Sequence, residues 1–177
     1  MMAGFPTGVS IVTAMEPAGP PRGMTCSSLC SVTLTPPTLL ICLRGQSPTL
    51  YAIRTSGTFA VNLLHAEARA TAQLFASSAV DRFDRVLWHA DPDSAGPHLP
   101  QDAHLVGDCR VIDVQFVGDH AVVFGEVVRV IQGQTQPPLL YGLRHYATWH
   151  ASVMHDDVDS SERAASTCPA AALRLER

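Results

Sequence analysis

Short apolar runs rich in β-branched residues recur along this chain of 177 residues, and proline or glycine bounds most of them. Val, Ile and Thr favour extended backbone, and proline interrupts a ladder of hydrogen bonds, so this punctuation favours many short strands. We interpret seven segments as strands, the second of which leads into a polar loop, at residues 8–15, 23–33, 38–43, 58–64, 105–117, 121–131 and 137–141. The tight link Gly118-Asp119-His120 predicts a hairpin between the two longest.

Two segments have a helical pattern instead. Residues 47–56 begin with Ser47 as a good N-cap and Pro48 at the first helical position, and Gly57 follows the end. Residues 66–77 are rich in alanine and other helix formers. The sequence therefore predicts a mainly β fold with inserted helices, a barrel or a sandwich, and not a doubly wound sheet.

The length suits one domain, which we place at residues 1–151, with a tail at residues 152–177 that is mobile or a docked helix. The chain has twelve arginines and no lysine, with a net charge of −4. This composition excludes a basic face for nucleic acid and any mechanism that needs a lysine. Charged residues make up 16% of the chain, below the usual share, which indicates a subunit interface.

The start of the chain has no signal-peptide pattern, and no apolar run is long enough to cross a membrane. We therefore expect a cytoplasmic protein. The five cysteines are odd in number and irregularly spaced, so we expect free thiols that serve as small core residues. His145, His150 and His155 are five residues apart, a spacing that does not stack them on one helix face, and we predict no metal site.

Three local features suggest ligand chemistry. Ser47-Pro48-Thr49 places two hydroxyls at a helix N-terminus close to Arg44, as a phosphate site requires, although a plain N-cap has the same spacing. The small polar run at residues 25–28 suits close backbone approach to a flat ligand, or an exposed sheet edge. His120 follows a tight turn and faces either a cleft or solvent.

Taken in order, these segments resemble the flavin reductase-like proteins with the FMN-binding split-barrel fold. More narrowly, the chain resembles the short-chain reductase components of two-component flavin-dependent monooxygenases. The similarity covers roughly residues 5–147. It rests on FPTGVSIVT (5–13), GMTCSSLCSVTL (23–34), PPTLLICL (36–43), SPT (47–49), SGTFAVNLL (56–64), DRF (81–83), GDH (118–120), GEV (125–127) and PLLY (138–141), with Arg144 and Tyr146 beyond.

The resemblance implies a flavin site and a nicotinamide site. The flavin ring and ribityl chain would contact the segment from Thr25 to Ser31, the phosphate would bind Ser47 and Thr49, and Arg82 and Phe83 would lie near the ribityl or adenine portion. In that segment the implied contacts are Thr25, Cys26, Ser27, Ser28 and Ser31. The nicotinamide would be lined by His120, by Arg144 and by Tyr146. His120 would be the catalytic residue, which positions the ring or, as a second hypothesis, donates a proton. For Asn62 we predict a structural role, pairing with backbone at a strand end.

The implied activity is NAD(P)H:flavin oxidoreduction, with hydride passing from the nicotinamide to FAD or FMN. We favour FAD over FMN as the flavin. We favour NADH over NADPH, because no arginine is assigned to the 2′-phosphate that distinguishes NADPH. The implied assembly is a homodimer that releases reduced flavin to a partner monooxygenase. Two alternatives remain open at this point: a non-catalytic flavin carrier or sensor of the same fold, and an oxidase of the pyridoxamine-phosphate type.

Overall fold

The computed structural model describes residues 1–133 and 135–149, so the predicted tail at residues 152–177 lies outside the described residues. Ten strands and two helices follow one another along the chain. They are β1 (Thr7–Gly8), β2 (Ser10–Met15), β3 (Pro21–Cys26), β4 (Leu29–Leu34), β5 (Pro37–Arg44), α1 (Pro48–Ser56), β6 (Thr58–Leu64), α2 (Arg69–Ala76), β7 (Ala103–Val117), β8 (His120–Gln132), β9 (Leu139–Gly142) and β10 (His145–Thr148). The expected class, mainly β with two inserted helices, is confirmed.

Seven strands form one antiparallel sheet in the order β3-β2-β6-β7-β8-β5-β4, and β1-β9-β10 form a second, smaller sheet. Strands β3 and β4 lie at opposite edges of the large sheet, yet only Ser27 and Ser28 connect them. Three Cα–Cα steps reach at most about 11 Å. The sheet must therefore curve until its two edges approach each other at this link.

The core is divided between the two helices. One cluster joins α1 to the inner face of the large sheet and includes Val12, Ile53 and Phe59, all fully buried. A second cluster joins α2 to the small sheet and includes Ile11, Phe75 and Leu139. Because Ile11 and Val12 point to opposite faces of β2, that strand separates the two clusters and anchors both helices.

The long segment after α2 is bonded to strands β2 and β6. Asn62, on β6, is buried and donates through Nδ2 to the carbonyls of Ile11 and Pro97, both at 3.2 Å. Its Oδ1 accepts from the backbone N–H of Leu99 at 2.9 Å. The predicted structural role of Asn62 is confirmed, and the bonds fix the segment around Pro97 against β2.

A buried charge cluster holds the same segment from the other side. Asp108 is fully buried, and its carboxylate bonds His98 Nε2 at 2.8 Å, Ala95 N–H at 3.0 Å and Arg129 Nε at 2.7 Å. A buried carboxylate is costly unless its oxygens are paired, and here three donors pair them. These contacts give much of the segment between α2 and β7 a structural role.

Two expectations about local structure are wrong. Residues 23–33 are not one strand leading into a loop but two strands at opposite sheet edges, separated by the short serine link. Cys26 and Cys109 are buried as expected, but Cys30 is exposed and Cys42 is half-buried. Cys30 lies on edge strand β4, whose side chains from residue 30 onward are exposed, and so it does not enter the core. Cys168 lies outside the described residues.

No helix in the described part of the chain is both long and apolar enough to cross a membrane.

Candidate active site

A large cleft opens where the start of α1 and the end of α2 meet the edge of β3. Its volume is about 650 Å³. Among the described residues, strand β3 pairs only with β2, so its outer edge forms the floor of the cleft. Residues 75–80 with Arg82 and Phe83 form one wall. The opposite wall is the segment from Arg44 to Thr49.

Ser47 sits at the N-terminus of α1 with its hydroxyl only partly engaged. Ser47 Oγ accepts from the Thr49 N–H at 3.2 Å and donates to Met24 Sδ at 3.4 Å. A thioether sulfur is a weak acceptor, so the Ser47 hydroxyl has the capacity for a stronger one. The first N–H groups of a helix also favour an anion at this position.

The edge of β3 presents backbone donors to the cleft. The Gly23 carbonyl points away from β2, because it accepts from Arg82 Nη1 at 2.8 Å. The N–H and C=O of one strand residue point to the same side, and the pattern repeats every second residue. The N–H groups of Gly23 and Thr25 therefore face the cleft, while the Thr25 hydroxyl is occupied by the Ala72 carbonyl at 2.6 Å.

The cleft is positively charged although the chain is acidic overall. Arg22, Arg44 and Arg82 line it, and no Asp or Glu of the described residues does. Arg82 is already bonded to the carbonyls of Gly23 and Ser77, and its buried Nε has no partner among the described residues. Burial lowers the pKa of Arg82. The Arg44 guanidinium makes no hydrogen bond and no close ion pair within the described chain, although its charge contributes to lowering the pKa of the nearby Asp119 carboxyl.

The wall on the α2 side is aromatic. Phe83 packs edge-on against Phe75, with ring centroids 5.1 Å apart, and against Trp88 at 5.7 Å. Such edge-to-face contacts fix ring orientation as well as burying area. Phe83 is thereby held as a rigid apolar surface at the cleft.

His120 lies at the margin of this cleft and does not line it. As the first residue of β8, it pairs in register with Arg44 at the end of β5. Cross-strand partners project to the same face, so His120 is the immediate neighbour of a residue that does line the cleft. The Asp119 carboxylate accepts from His120 Nδ1 at 2.8 Å, and the hydrogen bond from His120 is the main cause that lowers the pKa of Asp119.

Of the residues implied for flavin and nicotinamide, five line the cleft: Thr25, Ser47, Thr49, Arg82 and Phe83. The others lie elsewhere in this chain. The Cys26 side chain is buried in the core, Ser27 and Ser28 form the exposed link, and Ser31 is exposed on β4.

The last two predicted residues lie on the small sheet. Arg144 occupies the exposed β9–β10 turn with a φ of +64°. Tyr146 packs against Tyr141, with ring centroids 5.1 Å apart and Arg69 over its ring at 5.6 Å. Neither side chain lines the cleft formed by this chain.

Sequence reasoning missed Arg22, Met24 and the stretch from Phe75 to Val80 as cleft residues. They come together only because β3 is an edge strand between the two helices. Arg22 directly precedes the GMTCSSLCSVTL segment and Met24 is its second residue, and that position is the one signal that pointed to them. Across the described ranges no group of His, Cys, Asp or Glu is placed to hold a metal ion.

Comparison with known proteins gives a consistent family. A flavin reductase like domain matches residues 2–150. The chain is 49% identical over 149 residues to a flavin reductase (NADPH) of Lentzea aerocolonigenes, covering 84% of this chain and 86% of the relative. It is 35% identical over 137 residues to the reductase subunit of a flavin-dependent monooxygenase from Rhodococcus jostii, covering 77% of this chain and 69% of that one.

A solved structure agrees with these relatives. The NADH:FAD oxidoreductase of Streptomyces globisporus, determined in complex with NAD and FAD fragments, superposes with a TM-score of 0.77 at 32% identity. The match covers 84% of this chain and 88% of that one. The predicted resemblance is confirmed, and the chain belongs to the flavin reductase-like family.

Proposed function

We propose that this protein is an NADH-dependent flavin reductase whose flavin binds in the cleft between α1 and α2. The observation that carries the proposal is the cleft's combination of donors. A half-engaged Ser47 hydroxyl, the Arg44 guanidinium and the outward N–H groups of β3 all face one space that no Asp or Glu of the described residues lines. Such a set suits a phosphorylated ligand with a flat polar ring.

Each part of the cleft has a role in this proposal. Ser47, Thr49 and Arg44 hold the flavin phosphate, so that lysine is not needed. The Gly23 and Thr25 N–H groups bond the polar edge of the ring and stabilise negative charge that builds there on reduction. The apolar face of Phe83 packs on the ligand and excludes water, and Arg82 holds that wall closed. The bound nicotinamide supplies a hydride to the flavin, and water supplies the proton.

His120 orients the nicotinamide in this proposal. It lies beside Arg44, at the margin from which a second ring would approach the flavin. The hydride step needs no acid or base, so His120 acts by position. Outside the cleft lining, we propose that Arg144 and Tyr146 contribute from the nicotinamide side. Ser27 and Ser28 of the β3–β4 link, with Cys26 and Ser31 on the strands beside it, are proposed to contribute to the flavin site.

The nucleotide preference is also a proposal. We favour FAD over FMN, since the cleft extends past the phosphate position to the wall at Ser77–Val80. We favour NADH over NADPH. The relatives named above include both an NADPH enzyme and an NADH enzyme, so each nucleotide has a precedent within the family.

The wider organisation follows the family pattern. We propose that residues 1–151 form one split-barrel domain, separate from the tail at residues 152–177, in a cytoplasmic homodimer. Exposed apolar side chains on strands β4, β7 and β8 support a covered face; they are Val32, Leu34, Ile112, Val128 and Val130. Reduced flavin would diffuse to a partner monooxygenase, as the name of the Rhodococcus relative suggests for that protein.

Steady-state kinetics with both flavins and both nicotinamide nucleotides test the proposal. Oxidation of the nicotinamide nucleotide, followed at 340 nm, is expected to require added flavin and to be faster for NADH than for NADPH. No flavin-dependent consumption above background would contradict the proposal, and tight flavin binding without turnover would identify a carrier. Hydrogen peroxide formed from an amine without nicotinamide would identify an oxidase.

A further inference from the structure

The role of Arg22 in the cleft is not explained by binding a flavin with one phosphate. Arg22 begins β3 and pairs in register with Ala14 of β2. Its side chain lines the cleft and is 39% exposed. Arg82 is bonded to two carbonyls and Arg44 lies on the wall beside Ser47. Arg22 is therefore a third arginine of the cleft, and a single phosphate at Ser47 leaves its terminal N–H groups unused.

Glu16 fixes the direction of the Arg22 guanidinium. Arg22 Nε donates to Glu16 Oε1 at 2.6 Å, and the Glu16 side chain is only 20% exposed. The turn around Glu16 is tight, because Gly19 N–H bonds the Glu16 carbonyl at 3.0 Å and a Cβ on Gly19 would lie 2.8 Å from Glu16 Cβ. The pair therefore belongs to a well-defined turn.

The contact to Glu16 leaves most of the Arg22 donors unused. A guanidinium carries five N–H groups, of which only one lies on Nε. The four on the terminal nitrogens have no partner within the described residues. A fork that is already oriented loses less side-chain entropy when it binds an oxyanion than a freely rotating one does.

Arg22 is also close to the position of the first phosphate. Met24 contacts the Ser47 hydroxyl at 3.4 Å, and Arg22 lies two residues earlier on the same strand and the same face. Two residues of a strand span about 7 Å, which an arginine side chain can bridge. In a dinucleotide the second phosphate is joined to the first through one oxygen, so it would lie between Ser47 and Arg22.

We propose that Arg22, oriented by Glu16, binds the adenylate phosphate of a dinucleotide in this cleft and sets the preference for dinucleotide over mononucleotide. The proposal rests on the proposed function. The phosphate belongs to FAD or to the nicotinamide dinucleotide. Riboflavin, FMN and FAD carry zero, one and two phosphates, which makes them a matched series for the test.

Equilibrium binding of these three flavins, followed by flavin fluorescence, separates the possibilities. For Arg22→Gln we expect the ratio of the FAD and FMN dissociation constants to rise about tenfold, as for one lost charge-assisted hydrogen bond. Arg22→Lys keeps the charge without the fork and is expected to restore part of the ratio. Arg110→Gln is the control, because Arg110 pairs with Glu126 at 2.7 Å outside the cleft.

A second experiment, in which the nicotinamide substrate is varied, tests whether Arg22 binds the adenylate phosphate of the nicotinamide dinucleotide. With FMN as the flavin, a rise in KM for NADH but not for reduced nicotinamide mononucleotide in Arg22→Gln would assign Arg22 to the nicotinamide dinucleotide. The proposal is overturned if Arg22→Gln changes neither the ratio of the FAD and FMN dissociation constants nor the ratio of the KM values for NADH and reduced nicotinamide mononucleotide. It is also overturned if the affinities for riboflavin, FMN and FAD fall equally. Wild-type protein that binds none of the three flavins would instead overturn the proposed function itself.

Discussion

Asp119 and His120 are neighbours in sequence, and the Asp119 carboxylate accepts a hydrogen bond from His120 Nδ1 at 2.8 Å. The same turn is fixed to the end of β5, because the Gly45 N–H donates to the Asp119 carbonyl at 2.8 Å. These two bonds hold the imidazole beside Arg44. The β7–β8 hairpin thus positions the His120 ring at the margin of the cleft.

The first prediction concerns that ring. If His120 positions the nicotinamide, His120→Ala should raise KM for NADH about tenfold, the size of one lost polar contact, and change the flavin dissociation constant little. His89→Ala is the control, since His89 is exposed and lies outside the cleft. Unchanged turnover together with an unchanged KM for NADH would remove the proposed role of His120.

A second prediction tests the phosphate position. Ser47→Ala removes the hydroxyl that caps α1 and faces the cleft. We expect the FMN dissociation constant to rise about tenfold while that of riboflavin stays nearly constant, because riboflavin has no phosphate. The lost cap also lowers the free energy of unfolding by about 1 kcal/mol. Equal losses of affinity for both flavins in a fluorescence titration would place the phosphate elsewhere.

A third prediction concerns stability. Asn62→Ala leaves the buried Leu99 N–H without its acceptor and removes one of two donors to the Pro97 carbonyl, which keeps the Thr13 hydroxyl at 2.6 Å. We expect the free energy of unfolding in urea to fall by about 3 kcal/mol. Gln73→Ala, at an exposed position of α2, serves as the control and should change it little. An Asn62→Ala midpoint equal to that of the wild type would refute the structural role.

The thiols give a fourth prediction. Burial is the main cause that raises the pKa of Cys109, to about 12, and burial also raises the pKa of Cys26. Thiolate is the reactive form, so these two thiols stay protonated and unreactive at pH 8. Exposed Cys30 should react with an aromatic disulfide reagent before Cys26 and Cys109 do, as peptide mapping of the labelled native protein can show. Labelling of Cys109 at the rate of Cys30 would contradict the burial described here.

Local signals predicted part of this architecture correctly. Ser47 caps α1, and Gly57 ends that helix in the left-handed conformation with a φ of +75°, as their residue types indicate. The β7–β8 hairpin turns at Gly118, whose φ is +60°. In these cases the residue's own backbone preference decides the outcome, so a single sequence suffices.

Other features depend on partners distant in sequence. The break between β3 and β4 arises because the curved sheet brings its two edges together at Ser27 and Ser28. The backbone preferences of the residues at the break do not predict it. Strand β10 was missed because it exists only through pairing with β9. Arg22 joins the cleft for the same reason, since α1, α2 and the edge of β3 converge there only in the folded chain.

The most direct measurement of the central claim is anaerobic mixing of the protein with NADH and FAD, followed at 340 and 450 nm together. We predict that flavin absorbance at 450 nm is lost in step with NADH absorbance at 340 nm, one flavin reduced for each nicotinamide oxidised. In the absence of protein the same mixture should change far more slowly. If the 450 nm absorbance of oxidised flavin persists after mixing with protein at a concentration equal to that of the flavin, the account is contradicted.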